Sequence, residues 1–151
     1  MNVEEIMSKH PVCCTPDSTL FAVARLMVEH DCGVVPVVKN QQTRVLVGIL
    51  TDRDITCRAV ARAEHPQRVV AGECMSYPVF TVHPETSLEE CCRIMEHNRI
   101  RRVVVVDSER ACVGIVSLAD IAMWAPNLLT AEVIRAVSQP PRTATRFPIR
   151  A

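Results

Sequence analysis

Apolar positions along this chain fall into two kinds of spacing, and each kind occurs twice. Leu20, Val23, Ala24 and Met27 follow i, i+3, i+4, i+7, the stripe of a helix that buries one face. Leu88, Cys91, Cys92 and Met95 repeat that stripe 68 positions later. After each stripe comes an unbroken apolar run, residues 34–38 and then 103–106, as expected of strands buried on both faces. The pattern predicts strand, helix, strand, strand, helix in each copy. First-copy strands are expected at residues 12–15, 34–38 and 44–50, with helices from 20 to about 30 and from 52 to about 62. Second-copy strands are expected at 79–82, 103–106 and 112–116. One more helix, 128–137, carries Leu129, Val133 and Ala136 on one side.

Polar punctuation agrees with this division. Pro16-Asp17-Ser18-Thr19 reads as a turn and helix cap, and Thr86–Glu89 or Ser87–Glu90 offers a capping box in the second copy. At a shift of 68, Met7 meets Met75, Pro16 meets Pro84, and Arg25-Leu26-Met27 meets Arg93-Ile94-Met95. Two residues are then lost in a loop, and Gly48, Thr51, Asp54 and Ile55 meet Gly114, Ser117, Asp120 and Ile121. The expected organisation is repeat 1 over 1–62, a linker over 63–67, repeat 2 over 68–124, a C-terminal helix within 125–138, and a mobile tail over 139–151. A unit of about 50 to 60 residues is marginal alone, so the two copies should bury apolar faces against each other. The fold class is α/β, or α+β by some schemes.

Composition narrows the function. Seventeen basic residues balance seventeen acidic ones, which argues against a general nucleic-acid surface. No apolar run reaches the length of a membrane span, and the N-terminus lacks the basic and apolar regions of a signal peptide. A cytoplasmic protein is the expectation. Eight cysteines include no C-x-x-C pair and no zinc-type spacing, so no metal site is expected. Cys91 and Cys92 occupy helical stripe positions, where thiols act as small hydrophobes. The five histidines suggest no nucleophile–base pairing, so no enzyme is expected.

The candidate chemistry lies in a motif that closes each copy: Gly48-Ile49-Leu50-Thr51-Asp52-Arg53-Asp54 and Gly114-Ile115-Val116-Ser117-Leu118-Ala119-Asp120. A hydroxyl followed three residues later by a carboxylate is also a helix cap, which is the commoner use of such a pair. The same junction offers free N–H groups and a positive dipole end to phosphate, while the carboxylate suits a ribose diol. Thr51 with Asp54 and Ser117 with Asp120 are therefore the candidate ligand pairs. Val35, Pro36 and Val37 lie on an apolar strand whose proline predicts an edge or bulge, with carbonyls able to hold a purine ring. Arg53, Arg99, Arg101 and Arg102 are candidate phosphate partners. Val104 and Ala119 replace Pro36 and Arg53 in the second copy, which favours the site on Thr51 and Asp54.

The doubled order of elements resembles a tandem CBS-domain protein, the pair called a Bateman module. The resemblance covers about residues 3–124 and rests on Ile6-Met7-Ser8 and Cys74-Met75-Ser76, Val35-Pro36-Val37-Val38, the segment 101–107, and the two closing motifs. It implies two βαββα repeats about a pseudo-two-fold axis, with clefts between them that bind AMP, ADP, ATP or S-adenosylmethionine as regulatory ligands rather than obligatory cofactors. It also implies a homodimer and a separate regulated partner. The alternative is an interaction or stress-response protein without a nucleotide, using cysteine oxidation as its signal.

Overall fold

The computed structural model describes residues 1–140; all but the first two residues of the tail expected over 139–151 lie outside the described residues. In chain order the elements are α1 (Val3–Ile6), β1 (Ser8–Lys9), α2 (Leu20–Glu29), β2 (Val34–Val38), β3 (Leu46–Thr51), α3 (Asp52–Arg58), a 3-10 turn (Val60–Arg62) and α4 (Ala71–Cys74). Then follow β4 (Thr81–Val82), α5 (Leu88–Asn98), β5 (Arg102–Val106), β6 (Cys112–Ser117), α6 (Leu118–Trp124) and α7 (Asn127–Val137).

The chain forms two compact units, and each takes its lead segment from the other repeat. Among the described residues, one unit joins Met1–His10 to Phe80–Ser108 and residues 113–140. Its sheet order is β1-β6-β5-β4, with β1 antiparallel to β6 and β4 parallel to β5. Its core is Val3, Ile6, Leu88, Cys91, Cys92, Met95, Val103, Val105, Val116 and Ile121, closed by Val133 and Val137 of α7. All four residues of the α5 stripe are buried, as the spacing predicts. Ser87 caps α5 by accepting from the Glu90 N–H at 3.2 Å.

The other unit comprises Pro11–Val79 and Glu109–Cys112 among the described residues. β2 and β3 pair antiparallel, with a register shift between Val37 and Val38. Single bridges extend this ribbon: Cys14 to Val37 on one side, Ser76 to Ile49 on the other. Leu20, Val23 and Met27 of α2 pack with Val35, Val37, Leu50 and Cys74. Each fully buried Leu or Val removes enough apolar surface from water to contribute about 1.5–3 kcal/mol.

Several expected elements are shorter than their apolar patterns. Residues 12–15 form no strand but a single bridge, in which the Cys14 N–H donates to the Pro36 carbonyl and the Val38 N–H to the Cys14 carbonyl. Pro11 and Pro16 bound this segment and leave little backbone to pair. Arg44 adopts a left-handed φ of 54°, so β3 begins at Leu46 rather than at 44. The helix expected to reach 62 ends at Arg58, where Ala59 leaves helical geometry and a 3-10 turn follows.

Candidate functional site

Each closing motif forms a strand-to-helix junction with a reciprocal capping box. At β3–α3, the Thr51 hydroxyl oxygen accepts from the Asp54 N–H at 3.1 Å. Asp54 Oδ2 accepts from the Thr51 N–H at 2.9 Å. The extended φ and ψ of Thr51 point its side chain over the first helical turn, where free N–H groups need partners. At β6–α6, Asp120 Oδ2 accepts from both the Ser117 N–H and the Ser117 hydroxyl, each at 2.7 Å. The Asp120 N–H returns a bond to the Ser117 hydroxyl oxygen at 3.3 Å.

The two carboxylates differ in what else they hold. Asp54 Oδ1 pairs with Arg58 at 3.3 Å, both side chains being about six-sevenths buried, at 14% and 15% exposed. Arg58 also donates to the Cys74 carbonyl at 2.7 Å. Both oxygens of Asp54 are therefore engaged. The position of Arg58 is taken by exposed Trp124 in the second copy, and Asp120 has no ion pair among the described residues. Asp120 meets Ser117 through Oδ2 alone, whereas Asp54 meets Thr51 through Oδ2 and Arg58 through Oδ1. Arg58 was missed in the sequence although its i,i+4 spacing from Asp54 was legible.

The surrounding candidates divide between the two junctions. The Leu118 N–H donates to the Arg101 carbonyl at 3.1 Å, which fixes Arg101 beside the first turn of α6, with Arg102 next in sequence on β5. Arg101 is exposed and Arg102 half-buried. At the other junction, the Asp52 N–H donates to the Gly33 carbonyl at 3.2 Å, so glycine stands where Arg101 stands in the second copy. Arg53 is exposed, its N–H held by Asp52 Oδ1 at 2.8 Å. Val35, Pro36 and Val37 are buried, and the Pro36 carbonyl already accepts from Cys14, so these residues face the core rather than an open slot. A shallow hollow of about 520 Å³ lies against Met27, Val28, Asp31, Cys32, Gly33 and Asp52. Its two carboxylates make it a poor seat for phosphate.

Two junctions of this kind, on two units of the same design, define a tandem-repeat architecture. The chain belongs to the CBS-domain family, whose model matches it twice, over residues 3–59 and 71–127. Hypoxic response protein 1 of Mycobacterium tuberculosis is 35% identical over 136 residues, 90% of this chain and 93% of that protein. A crystal structure of Hypoxic Response Protein I with two coordinated zinc ions superposes with a TM-score of 0.74 at 36% identity, over 83% of this chain and 100% of that one. The CBS domain pair of protein MJ0100, in complex with 5-methylthioadenosine and S-adenosyl-L-methionine, gives a TM-score of 0.71 at 29% identity, over 82% and 98% of the two chains. Among the described residues, no three His, Cys, Asp or Glu side chains group as a metal site requires. Among those residues, no helix is long and apolar enough to cross a membrane.

Proposed function

We propose that this CBS pair is a non-catalytic cytoplasmic regulatory module, acting as a homodimer on a separate protein. Its ligand contains adenosine: AMP, ADP, ATP or S-adenosylmethionine. The observation that carries the reading is the duplicated junction, in which a hydroxyl and a carboxylate are held together at a helix start in both units. The adenosine compounds bound by the MJ0100 pair support the ligand class.

Ser117 and Asp120 form the stronger site. The Asp120 carboxylate accepts from the ribose hydroxyls, and Arg101 and Arg102 supply cationic donors for phosphate or carboxylate. Thr51, Asp54 and Arg53 form the weaker site, because a ligand there competes with Arg58 for the carboxylate. Ligand acts on the partner only through its different affinities for two states of the module. Thermal unfolding with each compound tests the class: a ligand at 100 times its Kd adds about 2.7 kcal/mol and raises Tm. Unchanged Tm with all four at millimolar concentration defeats it.

A further inference from the structure

Cys13 and Cys112 lie 99 positions apart in sequence, yet both are held by Arg44. Arg44 organises the pair. Its Nη2 donates to Cys13 Sγ at 3.3 Å and to the Pro11 carbonyl at 2.8 Å. Its Nε donates to the Cys112 carbonyl at 3.2 Å, while the Cys112 N–H donates to the Arg44 carbonyl at 2.9 Å. Gln41 holds the Cys13 carbonyl at 2.8 Å. Both cysteines are thus fixed on one arginine, from backbone and side chain alike.

We propose that Cys13 and Cys112 are a redox-active dithiol that a peroxide converts to an intramolecular disulfide, with Cys13 as the attacking sulfur. This is independent of nucleotide binding. The environment separates Cys13 from the other buried thiols. Burial pushes Cys14 and Cys91 up to about 12 and Cys92 up to about 11. Cys13 moves the other way, held below the ordinary thiol range first by the Cys112 hydrogen bond, against burial, and then by the charge of Arg44.

The chemistry closes in two displacements. The Cys13 thiolate attacks one peroxide oxygen, the O–O bond breaks, and the departing hydroxide takes a proton to leave as water. Cys13 is then a sulfenic acid. Cys112 gives up its thiol proton and attacks the Cys13 sulfur; the S–S bond forms, the S–O bond breaks, and the hydroxide leaves with that proton as a second water. Two electrons pass from the two sulfurs to the peroxide.

The test treats the full-length protein with hydrogen peroxide, blocks remaining thiols, and maps peptides by mass spectrometry without reduction. The expected product has lost two hydrogens and joins the Cys13 peptide to the Cys112 peptide. Cys14→Ser keeps that link, which assigns it to Cys13 rather than its neighbour. Cys112→Ser leaves a Cys13 sulfenic acid that dimedone labels. Arg44→Gln slows the wild-type reaction by about tenfold, and Arg44→Lys restores part of the rate. A link through other cysteines, or free Cys13 and Cys112 after the peroxide is consumed, overturns the proposal. Loss of the link in Cys14→Ser overturns it as well.

Discussion

Gly48 and Gly114 occupy matching positions in β3 and β6, and each lies under a methionine from a lead segment. A Cβ built on Gly48 would stand 2.9 Å from Met75 Cγ and 3.2 Å from Met75 Cβ, and against its sulfur. On Gly114 it would meet Met7 in the same way, with Cγ at 3.0 Å. Carbon atoms prefer about 3.5–4.0 Å, so the methionine must withdraw by roughly 0.5–1 Å. The thioether can swing aside, but Met75 Cβ cannot. Its backbone is tied by the Met75 N–H to the Ala71 carbonyl at 2.8 Å and by Ser76 to Ile49 at 2.8 and 3.1 Å.

Gly48→Ala therefore combines two opposed effects. Overpacking against Met75 costs about 2 kcal/mol. Replacing a strand glycine with alanine returns about 0.7 kcal/mol. The net expectation is a loss of about 1 kcal/mol. In a Met75→Ala background the sulfur and Cγ are gone and only the 3.2 Å contact with Cβ remains, so Gly48→Ala should stabilise by at most about 0.7 kcal/mol. The change of sign, a coupling of about 2 kcal/mol, is the diagnostic quantity. Urea unfolding of the four proteins measures it, provided m is constant across the set. Equal effects of Gly48→Ala in both backgrounds would refute the packing account of this glycine.

Two further predictions concern charge. Burial raises Cys14 and Cys91 from 9.0 to about 12, so both remain neutral in the folded protein where an unfolded chain ionises. Their contribution to stability is complete below pH 9.0 and disappears as pH rises toward about 12, with a slope of up to about 1.4 kcal/mol per pH unit for each thiol. Urea midpoints across that window should fall less steeply for Cys91→Val than for wild type; parallel curves would count against the assignment. Arg58→Ala removes the Asp54 pair and the Cys74 carbonyl bond, and should cost about 2 kcal/mol in the same assay. A change below about 0.5 kcal/mol would mean that water replaces both interactions without penalty.

Local features were the most legible from sequence. The α5 stripe, the Ser87 cap and the two closing capping boxes each depend on residues within one or two helical turns, so periodicity exposes them. Strand ends were less legible, because apolar composition continues past Arg44 while its left-handed backbone does not. Pairings across long separations left no periodic trace. Nothing in the spacing shows that Met7 covers Gly114, that Met75 covers Gly48, or that Arg44 gathers Cys13 and Cys112. The junction motif was legible, but residue type favoured Thr51 and Asp54 and did not show that Arg58 occupies the Asp54 carboxylate, which leaves the two carboxylates unequal.

That inequality gives the most direct test of the central claim. Calorimetric titration with AMP, ADP, ATP and S-adenosylmethionine should be run on ligand-free wild type, Asp120→Asn and Asp54→Asn. Asparagine retains an oxygen for the helix cap while removing the charge, so loss of binding is separated from loss of fold. The account predicts saturable binding of at least one compound, weakened about tenfold or more by Asp120→Asn and less by Asp54→Asn. Absence of heat with all four compounds, or binding untouched by both substitutions, would contradict it.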